Sequence, residues 1–393
     1  MTRHRDRVAR NVARIELSAI MDMSLRAARE PGAVSLAWGL PSFRTPAHIR
    51  AAVQHALDAD PDVGKYSLGD GLPELRAAVA REHLAATGIG VDSDAQVLIT
   101  AGNMEGLNVL FHTLLNPGDR VIVTDPGFVS HIHQIELCGG QATGWRLDES
   151  RGWALDLDAL PGLIDERTKA ILLVTPSNPT GRIFTEHELR RVGEIARERD
   201  VLVLLDDPYR HFTYGNRALY FNLASVPELA GHVVYLFSFS KCYAMSGWRL
   251  GYLVAPAALK RELMKVHDAT VLCAPRVSQV AGLAALTGPR GHLREFELAL
   301  ARRRDLICAR LDRLPRVFEY SRPEGAYYVF PRIVAPHASS TEFADRLLRD
   351  VKVGVTPGSA FGAAGEHHVR MAFCVEEREI DLAFDRIEAA FPR

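Results

Sequence analysis

Six short apolar runs punctuate the middle of the chain: Gln96–Thr100, Arg120–Thr124, Ala170–Val174, Val201–Leu205, Val233–Phe237 and Gly251–Val254. Within them hydrophobic residues follow one another with little polar alternation. A strand with one wet face alternates, whereas a strand covered on both faces does not. The runs therefore predict an α/β fold with a mostly parallel central sheet covered by helices. Between them, Glu105–Leu115 and Glu186–Arg199 space their apolar residues at a helical period and predict amphipathic helices. These elements define a large domain over residues 45–275. After residue 276 the pattern changes to a long Arg/Leu/Ala-rich helical stretch, Arg276–Leu314. A short run Ala326–Phe330, a helix around Glu342–Arg349 and a run Val369–Phe373 follow. They predict a smaller α+β domain over 276–393, to which residues 1–44 are added as an N-terminal segment.

Composition narrows the class without naming a chemistry. A chain of 393 residues exceeds one ordinary core. Its net charge of -1 gives no global attraction to nucleic acid or to an anionic membrane. Five scattered cysteines, without a C-x-x-C pair, argue against a disulfide framework or structural zinc and fit a reducing compartment. The basic start Met1–Val8 leads into no apolar signal core, and Asp6 and Glu16 count against an organellar transit peptide. A cytoplasmic protein is expected.

Open α/β sheets bind ligands outside the carboxyl ends of their strands, so the residues just after each run carry the most information. After the first run, Ala101-Gly102-Asn103-Met104 allows backbone N–H groups to converge on a phosphate at a helix start, or makes only a tight turn. After the second, Phe128 offers a ring that stacks on a flat cofactor or simply packs. After the third, Asn178 stands between two prolines, as a rigid donor or as part of a self-held loop. After the fourth come Asp206 and, three residues on, Tyr209. A carboxylate ending such an apolar strand needs a partner, which a protonated pyridine nitrogen supplies; capping a following helix is the alternative.

The fifth run leads into Ser238-Phe-Ser-Lys-Cys-Tyr-Ala-Met-Ser-Gly-Trp-Arg249. Only six of the 47 basic residues are lysines, yet one of them, Lys241, follows this buried-looking strand. Guanidinium forms no imine, whereas an amine of lowered pKa does. A surface lysine at a strand end is the plain alternative. Ser238, Ser240 and Arg249 suit a phosphate monoester. Taken together, an imine-forming amine, a carboxylate, phenolic-oxygen donors, a stacking ring and a phosphate cup describe pyridoxal 5′-phosphate.

On these motifs the chain resembles the class I/II aminotransferases, fold-type I pyridoxal-phosphate enzymes, from about Ile15 to Phe391. The resemblance implies that Lys241 is the Schiff-base lysine and proton carrier, with Asp206 and Tyr209 as its catalytic companions. It assigns Asp206 to the pyridinium, Asn178 and Tyr209 to the ring oxygen, and Phe128 to stacking. Ser238, Ser240 and Arg249, with backbone at Gly102, Asn103 and Met104, are assigned to the phosphate. Arg370 corresponds to the clamp on the substrate carboxylate, with Gly39 and Asn178 beside it. Tyr66 corresponds to a tyrosine reaching the phosphate of a neighbouring subunit, which implies a homodimer.

Two departures bear on specificity. Pro208 stands where many members have Ile, Val or Thr, and Met104 stands where some acid-specific members have lysine. The expected activity is transfer of an amino group from an L-amino acid, neutral or apolar in its side chain, to a 2-oxo acid. A carbon–sulfur β-lyase or an aminocyclopropane-carboxylate-synthase-like lyase is the same-fold alternative. A ligand-sensing regulator is more remote, since it needs a DNA-binding module ahead of the matched region.

Overall fold

The computed structural model describes residues 7–215 and 217–392; residues 1–6, which begin the expected N-terminal segment, lie outside the described residues. The first strand is β1 (Val34–Ser35). The central sheet takes β2 (Val97–Thr100), β3 (Arg120–Asp125), β4 (Gln141–Asp148), β5 (Ala154–Leu155), β6 (Thr168–Val174), β7 (Leu202–Asp206), β8 (Val233–Ser238) and β9 (Gly251–Val254). Their order across the sheet is β2-β9-β8-β7-β6-β3-β4-β5. Pairs among β4, β3, β6, β7 and β8 are parallel. β9 runs antiparallel to both β2 and β8, and β5 antiparallel to β4.

Both faces of the sheet are covered, as the unbroken apolar runs require. Val97 and Ile99 join one buried cluster, while Leu98 between them joins another on the opposite face. The second cluster contains Leu107, Leu110 and Phe111 of helix Asn103–Leu114 and Leu263 of helix Ala257–Thr270. β4 was not predicted: its residues alternate between exposed and covered, so no continuous apolar run marks it. The helix expected at Glu186–Arg199 spans Glu186–Glu198 and is opened by a capping box of Thr185 and Glu188.

The C-terminal part departs more from expectation. The stretch Arg276–Leu314 divides into helices Arg276–Thr287 and Gly291–Leu311, because Gly288 and Pro289 interrupt the helical pattern. Short strands follow: β10 (Phe318–Glu319), β11 (Tyr328–Val329), β12 (Arg332–Ile333), β13 (Val353–Gly354), β14 (Thr356–Pro357) and β15 (Val369–Ala372). The run Ala326–Phe330 thus yields only a two-residue strand, and the helix expected at Glu342–Arg349 is Ser340–Arg346 followed by a π turn. β15 lies between β11 and β14.

Strand β1 and the residues after it pair with this part. β1 pairs in parallel with β13, and Ala372 donates its N–H to Leu36 O at 2.7 Å. These bonds carry the chain to Trp38 and Gly39, near Arg370 of β15. Among the described residues, no helix is long and apolar enough to cross a membrane.

Candidate active site

The carboxyl ends of β6, β7 and β8 meet a cavity of about 220 Å³ lined by residues spread along the chain from Ile20 to Arg370. Because β9 is antiparallel, its amino end lies at the same edge: Ser238 pairs with Gly251. That reversal brings Arg249 back beside Lys241, within one loop.

Lys241 lines the cavity and donates from Nζ to Gly39 O at 2.9 Å. Enclosure by protein atoms lowers its amine to about 8. Burial is the largest cause; Cys374 and Asp206 act against it, while Arg370 and Arg249 add to it. The surface-lysine alternative does not describe this environment.

Asp206 is the last residue of β7 and is buried. Asn103 donates from Nδ2 to Asp206 Oδ1 at 2.6 Å, and His131 Nε2 lies 3.2 Å from Oδ2. No helix follows directly, so Asp206 is not a helix cap. The backbone role expected of Asn103 leaves its side chain available for this bond. Its side chain turns to the carboxylate, at the first position of a helix whose N-terminus has no side-chain cap.

The remaining predicted residues divide into three groups. At the phosphate-like end, Ser238 Oγ accepts from the Ser240 N–H at 3.2 Å, and Arg249 donates from Nη1 to Ser246 O at 2.9 Å. Gly102 stands at φ 82°, where a Cβ would lie 2.6 Å from Arg249 Nη2, so only glycine permits this approach. At the aromatic centre, Phe128 meets His131 edge-on, centroids 5.1 Å apart, and Tyr209 Oη lies 3.0 Å from Tyr328 Oη. At the far end, Arg370 is 1% exposed and donates from Nη1 to Asn178 Oδ1 at 3.3 Å. Its guanidinium lies 4.6 Å from the centre of the Tyr328 ring and also donates to Ala37 O. Burial lowers its pKa, with nearby tyrosines opposing the shift.

Gly39 lies against the Tyr328 hydroxyl, 2.1 Å from where a Cβ would stand. Met104 lines the cavity and is 37% exposed. Tyr66 is 76% exposed and is not on the cavity wall of this chain. Tyr328, His131, Trp38 and Ile20 were not singled out from the sequence, yet each lies on the wall or braces a residue that does. The tyrosine pair in Ala326-Tyr-Tyr-Val-Phe330 is visible in the sequence, but only as part of a short apolar run.

The chain is similar to known proteins over nearly its whole length. The family described as "Aminotransferase class I and II" matches residues 31–387. An aspartate aminotransferase of Pyrococcus horikoshii is 34% identical over 385 residues, covering 98% of this chain and 97% of the relative. Aromatic-amino-acid aminotransferase 2 of Thermococcus litoralis is 34% identical over 361 residues, covering 91% of each. The solved structure of an alanine aminotransferase from Pyrococcus furiosus superposes with a TM-score of 0.91 at 30% identity, covering 98% of this chain and 99% of that one. These relatives are named for amino-group transfer, and none of the three is a lyase. The chain belongs to the class I and II aminotransferases, enzymes that move an amino group between an amino acid and a 2-oxo acid.

Proposed function

We propose that the cavity holds pyridoxal 5′-phosphate and transfers the amino group of a neutral or apolar L-amino acid to a 2-oxo acid. The observation that carries this reading is Lys241: an amine lowered to about 8 shares one cavity with the buried carboxylate Asp206 and the buried guanidinium Arg370.

The residues suit that cofactor. Asp206 is held by neutral or weakly basic partners, Asn103 and His131, and faces the cavity without a guanidinium or ammonium bonded to it. An uncapped helix start, Ser238, Ser240 and Arg249 supply donors for a phosphate, with Gly102 leaving the space. Arg370 Nε is buried without a partner, so the fork has a donor left for a carboxylate.

When bound, pyridoxal phosphate supplies an electrophilic carbon for the substrate amine and a ring that takes up electrons from the α-carbon. Asp206 orients the ring nitrogen and keeps its proton in place. Asn178 and Tyr209 hold the ring oxygen, and Phe128 covers one face. Arg370, with Asn178 and Gly39 beside it, fixes the substrate carboxylate. Lys241 Nζ, neutral in an accessible fraction near pH 8, would take the α-proton and hold it for return.

Donor choice follows from the wall. Ile20, Trp38, Met104 and Leu107 line it, while its cations are Lys241, Arg249 and Arg370, each already assigned. No described lining cation remains for a distal carboxylate. In the same reading the protein is a homodimer, with exposed Tyr66 serving the phosphate of its partner. Residues 45–275 form the cofactor domain, and 276–393 with 1–44 form the smaller one.

The test loads the protein with cofactor and adds single amino acids, following absorbance from the aldehyde to the amine form. Leucine, methionine or phenylalanine is expected to convert it; conversion by aspartate alone overturns the donor class. Absence of conversion by every amino acid overturns the transfer reading.

A further inference from the structure

Outside the cavity, one buried histidine has acceptors on both sides. His267, in the last turn of helix Ala257–Thr270, has no exposed surface. Its Nε2 lies 2.9 Å from Gly69 O, and its Nδ1 lies 2.9 Å from Glu105 Oε1. A backbone carbonyl only accepts, so Nε2 carries a proton.

Glu105 decides the other side. Its Oε2 accepts the Ala101 N–H at 3.0 Å, and it occupies the first turn of helix Asn103–Leu114, where backbone dipoles favour negative charge. A carboxylate there accepts from Nδ1 as well. An unbroken chain of bonds thus runs from Ala101 N–H through Glu105 and His267 to Gly69 O.

The two ends of this chain have distinct places. Ala101 precedes Gly102, whose bare Cα admits Arg249. Gly69 lies three residues after Tyr66, the exposed side chain assigned to the neighbouring subunit. The same helix grips the next residue too: Lys260 donates to Asp70 Oδ2 at 2.7 Å.

We propose that His267 is a positioning residue for the phosphate end of the site: a donor at both ring nitrogens, it ties the Ala101–Glu105 turn to the segment carrying Tyr66. The proposal rests on the cofactor reading above. His267 touches neither substrate nor cofactor and acts through Glu105 and Gly69. Loss of the link uncouples the turn from the segment, which Lys260 still holds at Asp70, and weakens the phosphate grip without removing any of its donors.

Nitrogen-15 NMR of the cofactor-free protein, labelled at histidine, reads the ring nitrogens directly, with the spectrum of H267A assigning the signals. Protons on both nitrogens are expected; an unprotonated Nδ1 overturns the proposal. Titration with pyridoxal 5′-phosphate is expected to show H267A binding about tenfold more weakly than wild type. The exposed Lys265, on the same helix, provides the control Lys265→Ala at wild-type affinity. H267A affinity within about twofold of wild type overturns the positioning role.

If H267A unfolds, Glu105→Gln carries the binding arm. Its amide is expected to switch Nδ1 from donor to acceptor and to lower cofactor affinity; an unchanged Nδ1 signal overturns the proposal. Wild-type protein that takes up no cofactor overturns both readings. Normal wild-type uptake beside unaltered H267A overturns this one alone.

Discussion

Asn103 donates its side-chain N–H to Asp206 Oδ1 at 2.6 Å, joining the start of one helix to the end of one strand. The two residues are 103 positions apart, yet each faces the cavity. Asn103→Ala removes the amide bonded to that carboxylate and leaves His131 to orient it. The expected result is a fall in kcat of about tenfold or more, with a smaller change in KM, since one charged hydrogen bond contributes about 1.5–3 kcal/mol. Steady-state kinetics with a single amino donor checks it. An unaltered kcat refutes the orienting role.

Lys241 sets the pH behaviour. Its folded pKa, about 8, lies below the usual amine value, so the unfolded chain binds more protons between the two. Its contribution to stability therefore rises as pH climbs from about 8 toward the ordinary amine value of 10.5. In cofactor-free protein, labelling of Lys241 by an amine-selective reagent is expected to reach half its maximal rate near pH 8, read by peptide mass spectrometry. A midpoint near that of an ordinary lysine contradicts the assignment. Lys241→Ala is expected to abolish transfer while still binding some cofactor through phosphate and ring contacts.

Arg370→Lys tests the carboxylate clamp. Lysine keeps one charge but loses the planar fork, and its ammonium does not reproduce the contact with the Tyr328 face. We expect KM for the amino donor to rise about 10- to 100-fold, equivalent to about 1.4–2.8 kcal/mol. Affinity for the cofactor alone, measured by absorbance titration, is expected to change little. Equal losses in both place Arg370 in the fold rather than at the substrate.

Met104→Lys tests donor choice. It adds a cation to a wall whose apolar members include Ile20, Trp38 and Leu107. The ratio of kcat/KM for aspartate over phenylalanine is expected to rise by about tenfold or more, the scale of one partly solvated ion pair plus lost apolar contact. An unmoved ratio means that the substrate side chain lies elsewhere.

Glu149 tests a contact beside the site. Its carboxylate meets His368 Nε2 at 2.9 Å and pairs with Arg332, two residues that flank β15 or lie on β12. Burial opposes ionisation there, but the bonds from His368 and Arg332 outweigh it and hold the carboxyl at about 2. A depressed carboxyl stabilises above its unfolded value and loses that contribution as pH falls from about 4.5 to about 2. Glu149→Gln is expected to cost about 1 kcal/mol at pH 7, given partial exposure, and to flatten the acid limb of a thermal-unfolding profile. An unchanged limb refutes it.

How far the sequence reads depends on where each residue's neighbours come from. Lys241, Asp206 and Asn178 follow long apolar runs, so their place at a strand end is local information. Gly39 lies in irregular chain beyond the two-residue β1 and Arg370 in the four-residue β15, neither of which shows a period, and only family resemblance singled them out. Ile20 reaches the cavity through tertiary packing alone, which leaves no local mark, and Tyr328 shows only as one residue of a short apolar run. Asn103 was read as a backbone donor because its helix start is visible, whereas the partner of its side chain lies on another strand. β9 was visible as a strand but not as a reversed one, since burial looks the same in either direction.

That reversed strand limits how this protein can vary. β8 and β9 are interior strands of the sheet, each paired on both sides, so neither can slide to absorb a change between them. The connection from Phe239 to Leu250 holds Ser240, Lys241, Ser246 and Arg249 between two anchored ends. One residue inserted or deleted there would separate amine from guanidinium while leaving the sheet intact. Elsewhere a loop can lengthen at small entropic cost. Here length itself is the constrained property, and a length variant is expected to fold yet fail to retain its cofactor.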